Sequence, residues 1–249
     1  MPQFFIREGN EREGRCIIDG NDRDHLARVR RAREGDILGV RLPDGTPARA
    51  RIVEVGERSI IAEIIDKKAS EIIPLNLTLC AAILKGKRFE TALQKAVEIG
   101  VSRIIPVISE RTVPEIERKE SDRLERWNRI AREAAKQCMR GDVPPVERAA
   151  RIGDVLGRGF PGLRIIAHTE RSGRAPRDFL CDAASFNDIA VLVGPEGGFS
   201  PREIERAREN GWSELNFGFT QMRAETAAVV VPAILLYEWS HQYEDHREL

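Results

Sequence analysis

The segment Val191 to Ser200, VLVGPEGGFS, carries an apolar run of strand length into a glycine-rich turn and then a helix start. Gly194, Gly197 and Gly198 have no side chains, so backbone amides and carbonyls can approach a ligand closely. Pro195 stiffens the turn and Glu196 is its charged group. The spacing matches neither GxGxxG nor the phosphate cradle GxxxxGK[ST], which disfavours a dinucleotide or ATP site. The same glycines could equally serve only the backbone geometry of a strand-to-helix turn. A second group lies downstream, where Arg223-Ala224-Glu225-Thr226 opens an apolar stretch. Arg223 and Glu225 are expensive to bury unless paired or used, although Glu225 and Thr226 also suit the first turn of a helix. Ile166-Ala167-His168-Thr169 forms a third strand end, and a single histidine such as His168 is more often a hydrogen-bonded structural group than a catalyst.

Alternating strands and helices must hold these three loops. Leu75 to Leu84, Arg103 to Ile108, Leu163 to Ala167, Ile189 to Val193 and Leu215 to Phe217 read as strands. Phe89, Leu93, Ala96 and Val97 mark one helix, and Leu124, Trp127, Ile130, Ala131, Ala134 and Cys138 mark a longer one from Ser121 to Met139. Ser200 with Glu203 three residues on, Pro201 in the first helical position and Gly211 at the end define a further helix. Glu225 to Trp239 reads as a buried helix. This alternation implies an α/β layer with a mostly parallel sheet. Before it, Ile37 to Val40, Ala48 to Val55 and Ser59 to Ile65, separated by turn residues, read as a small β-rich module. One helix is expected there, from Asp22 to Arg33, with Leu26, Val29 and Ala32 on one face.

The 249 residues are 41% hydrophobic, enough for a buried core and against disorder as the main state. Forty Lys and Arg balance forty Asp and Glu, which excludes a globally basic nucleic-acid binder and leaves local clusters as the places for RNA contact. Arg28, Arg30, Arg31 and Arg33 form one cluster. A second runs from Lys85, Lys87, Arg88 and Lys95 to Arg126, Arg129, Arg132, Lys136 and Arg140, and either faces phosphates or is a solvated helix exterior laced with glutamates. Cys16, Cys80, Cys138 and Cys181 show no CxxC pair and the four histidines are dispersed, so no metal site and no disulfide framework is expected. Ala227 to Tyr237 is too short to span a bilayer and the first 16 residues lack an apolar signal region, so a soluble cytoplasmic protein without a membrane partner is expected.

VGPEGGFSPREIE and MRAETAAVVV, with GKRFETALQKAVEIGVSRIIPV and WNRIAREAAKQCMRGDVPPV upstream and HLARVRRAREGDIL near the start, closely resemble the RsmE family of ribosomal RNA methyltransferases, of the SPOUT class. The resemblance spans nearly the whole chain. It implies a PUA-like β-barrel domain over residues 1–70 and an α/β SPOUT methyltransferase domain over residues 71–249, with a knotted parallel sheet forming a deep C-terminal trefoil knot. It further implies a homodimer that uses S-adenosylmethionine to methylate N3 of a specific uridine in 16S ribosomal RNA, within the assembled 30S subunit.

Carried over by residue, the resemblance assigns the cofactor to Ile166, Ala167 and His168, to Val193, Gly194, Pro195, Glu196, Gly197 and Gly198, and to Phe217, Gly218, Met222, Arg223, Glu225, Thr226 and Ala227. Arg223, Glu225 and Glu196 are the expected catalytic set, with Arg223 stabilising charge on the uracil carbonyl oxygens and either glutamate available as proton acceptor. RNA contact is expected from Arg28, Arg30, Arg31, Arg33, Lys87, Arg88 and Arg140. The family commonly has Arg-Ile-Leu-Arg before the Glu-Thr pair, whereas this chain has Thr220-Gln221-Met222-Arg223 and keeps the last arginine. From the residues alone, another methylation target on the same scaffold and a non-catalytic RNA-binding factor stay open.

Overall fold

The computed structural model describes residues 3–68, 75–112, 120–168, 173–180, 187–216 and 221–247. Two compact units result: residues 1–73 with 135–143, and residues 74–134 with 144–249.

In the first unit, β1 (Gln3–Phe5), β2 (Glu11–Arg12), β3 (Arg15–Asp19), the short helix α1 (Gly20–Asp24), β4 (Ile37–Arg41), β5 (Pro47–Val55) and β6 (Ser59–Lys67) follow in order. The strands make one sheet in the order β1-β4-β5-β6-β3-β2, antiparallel except where β1 runs parallel to β4. Alternation along β5 buries Ala48, Ala50 and Ile52 and exposes Arg49, Arg51 and Val53. Register shifts against β6 at Arg49/Ala50 and Ile52/Glu54 add the local twist that curls such a sheet around its own core. Phe4, Leu26, Leu38, Val40, Ile52 and Ile60 are in that core.

The expected helix from Asp22 to Arg33 takes a different form. After α1 the backbone widens into a π turn over His25–Val29, where the Arg30 amide donates to the His25 carbonyl at 3.1 Å. That extra residue per turn rotates Val29 away from the buried Leu26, leaving Val29 70% exposed. Arg31 then takes a left-handed φ of 51°. Arg28 therefore stands in the π turn, and Arg30, Arg31 and Arg33 on the exposed loop after it, rather than along one regular helix.

Residues 135–143 pack within the same unit. Lys136 is buried and its Nζ lies 2.5 Å from Asp22 Oδ1, and the Met139 carbonyl accepts from Arg41 Nη2 at 2.9 Å.

The second unit continues with β7 (Asn76–Ala82), α2 (Arg88–Ile99), β8 (Arg103–Ile108), α3 (Glu120–Gln137), β9 (Ala150–Arg151), α4 (Ile152–Leu156), β10 (Leu163–Ala167), α5 (Pro176–Leu180), β11 (Asp188–Val193), α6 (Pro201–Glu209), β12 (Ser213–Leu215) and α7 (Ala224–Arg247); the last three residues of α3 belong to the first unit. All its strand pairs are parallel, in the order β12-β10-β11-β7-β8-β9. Five consecutive residues of β11, Ile189 to Val193, are buried, which is the run expected of a strand covered on both faces. The order reverses at β7 and β11: the chain first builds outward through β8 and β9, then returns to place β10, β11 and β12 on the other side. In open α/β sheets that reversal leaves a crevice beyond the strand C-termini.

The helix after the glycine-rich turn carries every signal expected of it. Ser200 Oγ accepts from the Glu203 amide at 3.2 Å, Glu203 Oε2 accepts from the Ser200 amide at 2.8 Å, and Pro201 follows the cap. At its end the Trp212 amide donates to the Ala207 carbonyl and the Gly211 amide to that of Arg208, with Gly211 at φ 73°, a Schellman closure.

Candidate active site

A cavity of about 1190 Å³ opens where the strand ends of the second unit converge. Its wall takes Ala167 and His168 from the end of β10, Val193 through Phe199 from the end of β11 and the turn after it, and Gln221 through Glu225 with Ala227 from the approach to α7 and its first turn. Three segments far apart in sequence thus meet because β10 and β11 are neighbours and α7 begins beside them. Ile166 lies beneath the wall, fully buried in the apolar cluster with Leu192, Phe199 and Trp212. Thr226 is exposed in the first turn of α7 and is not among the lining residues. Phe217, Gly218 and Thr220 lie outside the described residues.

The glycine-rich turn is tightly specified. Gly194 packs under the Phe199 ring, and a Cβ there would come within 3.1 Å of the ring. Gly198 takes φ 67°, a left-handed value that suits glycine. Glu196 Oε1 accepts from the Lys85 amide at 3.3 Å and from Arg88 Nη1 at 3.2 Å, so this carboxylate ties the turn to the loop between β7 and α2.

His168 Nε2 and Glu214 Oε2 are 2.7 Å apart, with side chains 6% and 11% exposed. Glu214 Oε1 also accepts from Arg208 Nε, and Arg208 Nη1 reaches Glu205 Oε2 at 3.0 Å. The hydrogen bonds to Glu214 and then Glu205 hold the Arg208 guanidinium still more firmly charged. His168 is therefore seated by an ionic chain along one side of the cavity.

Arg223 precedes α7, its carbonyl accepting from the Ala227 amide at 2.8 Å, and its side chain is exposed at the cavity. Two residues on, Glu225 Oε2 is buried and has no hydrogen-bond donor among the described residues. A buried carboxylate oxygen without a partner is costly.

S-adenosylmethionine fits this set of groups. Val193, Phe199, Ile204, Leu215, Met222 and Val231 offer an apolar wall for an adenine ring, the glycines expose backbone for its polar edge, and Glu225 suits a cationic ligand. Among the described residues no group of three or more His, Cys, Asp or Glu could hold a metal ion. Cys16 and Cys80 are buried free thiols, Cys138 is half-buried, and Cys181 lies outside the described residues.

The expected RNA contacts divide. Arg28, Arg30, Arg31 and Arg33 are exposed, with Arg28 4.0 Å from Asp24. Lys87 is exposed beside Arg88, whose guanidinium pairs with Glu196. Arg140 is different: its side chain is 14% exposed and holds both carboxylate oxygens of Asp142, so it fixes the 135–143 segment rather than presenting an open charge. Lys95 with Glu98, Arg126 with Glu90 and Lys136 with Asp22 likewise make much of the middle basic segment a set of ion pairs.

Sequence reasoning missed Arg111, which lines the cavity and donates from Nη1 to the Gly197 carbonyl at 2.6 Å. It also missed Glu214 and Arg208. Arg111 stands three residues past the end of β8, and the rule that ligands bind beyond strand C-termini was the signal that could have found it.

A sequence profile described as an RNA methyltransferase domain matches residues 71–236, and one described as an RNA methyltransferase PUA domain matches residues 18–65. Ribosomal RNA small subunit methyltransferase E of Aquifex aeolicus is 30% identical over 91% of this chain and 96% of its own length. That of Mesomycoplasma hyopneumoniae is 32% identical over 92% and 96%. The crystal structure of the Neisseria gonorrhoeae ribosomal RNA small subunit methyltransferase E bound to S-adenosylmethionine superposes with a TM-score of 0.84 at 31% identity, covering 96% of this chain and 98% of that one.

Proposed function

The chain belongs to the family of ribosomal RNA small subunit methyltransferase E, and from that premise we propose that it transfers a methyl group from S-adenosylmethionine to N3 of one uridine in 16S ribosomal RNA. The observation that carries the site assignment is the convergence of three segments distant in sequence, at Ala167–His168, Val193–Gly198 and Met222–Ala227, on one cavity that Glu225 also lines. When bound, the cofactor supplies an electrophilic methyl carbon on a sulfonium sulfur.

The chain's own residues do the rest. Uracil N3 carries a weakly acidic proton and must shed it as the nitrogen attacks. Glu225 accepts that proton, as the carboxylate that lines the cavity two residues after Arg223. Arg223 stabilises the negative charge that spreads to the uracil carbonyl oxygens. Glu196 acts as a positioning residue, holding the glycine-rich turn to Arg88 and the Lys85 amide. Val193, the glycines, Met222 and Ala227 hold the cofactor, with His168 fixed by Glu214 at their side. A base stacked or paired in folded RNA is turned out to reach the cavity.

The same reading includes a C-terminal trefoil knot, a homodimer, the assembled 30S subunit as substrate and a cytoplasmic location. The family resemblance supports the knot, and the placement of β11 between β7 and β10 agrees with it. An apolar face on α7, with Tyr237 61% exposed and Val229, Val230, Ala233 and Ile234 half-buried, supports the dimer. Among the described residues no helix is long and apolar enough to cross a membrane. The arginines at residues 28, 30, 31 and 33 would position the substrate through its phosphates.

Incubating the protein with labelled S-adenosylmethionine and small ribosomal subunits lacking the modification, then mapping the labelled nucleotide by mass spectrometry, tests the reading. One 3-methyluridine in 16S ribosomal RNA is expected. Label on a ribose or another base would overturn the assignment of N3.

A further inference from the structure

Among the described residues four arginines line the cavity, and they differ in what neutralises them. Arg88 pairs with Glu196, and Arg208 with Glu205 and Glu214. Among the described residues, Arg111 and Arg223 have no carboxylate partner. The proposed reaction already uses Arg223. It gives Arg111 nothing to do.

Arg111 is nonetheless held with care. Its loop follows β8 and is locked at both ends: Thr112 Oγ1 accepts from the Ser109 amide at 3.0 Å and meets Ser109 Oγ at 2.9 Å, both residues being buried. The Glu110 amide donates to Glu203 Oε1 at 2.9 Å, so the buried capping glutamate of α6 holds this loop as well as its own helix. The arginine stem then lies along Gly197, where a Cβ would come within 3.3 Å of Arg111 Cδ. Nη1 spends one donor on the Gly197 carbonyl. The guanidinium is exposed and keeps four further N–H donors. A fixed, unneutralised cation at the lip of a ligand cavity is arranged to meet an anionic oxygen.

The geometry points to Arg111 as a substrate-positioning residue that binds an RNA phosphate next to the nucleotide turned into the cavity. This rests on the methyltransferase reading above. Two ligands could bring the anionic oxygen, the RNA backbone and the carboxylate of the cofactor. Exposure favours the backbone, because a strand that delivers one base into the cavity must pass along its open edge with charge on every residue.

The test compares wild type with Arg111→Ala and Arg111→Lys in three measurements: calorimetric affinity for S-adenosylmethionine without RNA, KM and kcat on small ribosomal subunits, and the dependence of RNA affinity on salt. Arg111→Ala is expected to raise KM for RNA about tenfold, with the effect carried by KM rather than kcat. It should also reduce the slope of log affinity against log salt by about one, the share of a single neutralised phosphate. Arg111→Lys should keep the slope, since the charge is retained. Cofactor affinity should stay within about twofold in both variants. A fall in cofactor affinity with an unchanged salt slope would assign the arginine to the cofactor carboxylate and overturn the proposal. So would a wild-type KM and slope in Arg111→Ala. A wild type that methylates no ribosomal RNA would overturn the methyltransferase reading together with this one, whereas an active wild type with an unaltered Arg111→Ala slope would overturn this one alone.

Discussion

Two side chains carry the proposed chemistry, and they act in separable ways. Arg223 faces the cavity without a carboxylate partner among the described residues, so its charge is available to an enolate-like uracil. Removing such a preorganised donor typically costs about 10²–10³ in rate. Arg223→Ala should therefore lower the single-turnover rate by that range at saturating RNA and cofactor, and an unchanged rate would remove it from the reaction. Glu225→Gln keeps the volume and the hydrogen-bonding capacity at the orphaned oxygen while abolishing its ability to take a proton. The single-turnover rate should fall by about 10²–10⁴, with calorimetric affinity for the cofactor retained. Loss of cofactor binding instead would place Glu225 against the donor molecule rather than the base.

At the level of elements, the device that carries most weight is the start of α6. Ser200 and Glu203 cap it, and Glu203 also holds the Glu110 amide, so one buried carboxylate fixes the loops after both β8 and β11. Ser200→Ala should cost about 1 kcal/mol in denaturant unfolding. Glu203→Ala should cost more, about 1–3 kcal/mol, because two backbone amides, the buried one of Ser200 and the partly buried one of Glu110, lose their acceptor. This start was legible in the sequence, as were β8 and β10 to the residue, because caps and apolar runs are local signals. The hydrogen bond between Glu203 and Glu110 was not, since it joins residues 93 apart. The π turn at His25–Val29 also escaped a reading based on 3.6-residue periodicity: Leu26 and Val29 sit at helical spacing, yet only Leu26 is buried. In β12 the structure has Ser213–Leu215, beginning two residues before the apolar pair that suggested it. β1, β2 and β9, of two or three residues, are too short to show an apolar run, and the five-residue helices α4 and α5 span less than two turns, too little for a helical period.

For the molecule as a whole, net charge of zero conceals a division of labour. The glycine-rich turn and the Arg223–Glu225 pair were readable as places where chemistry could occur. Their convergence depended on strand order, which places β11 between β7 and β10 and which no local pattern dictates. The basic residues sorted themselves only once partners were visible: Arg140 and Lys136 are structural, while Arg28, Arg30, Arg31 and Arg33 stay exposed. Replacing these four arginines with alanine should weaken binding to small ribosomal subunits and lower its salt slope by roughly one unit for each phosphate that the arginines neutralise. Cofactor affinity, measured by calorimetry on the same variant, should not move.

A crystal structure of the protein grown with S-adenosylhomocysteine tests the central assignment most directly. Density for the nucleoside bounded by Ala167–His168, Val193–Gly198 and Met222–Ala227 is the predicted result. Density elsewhere on the molecule, with those three segments unengaged, would contradict it.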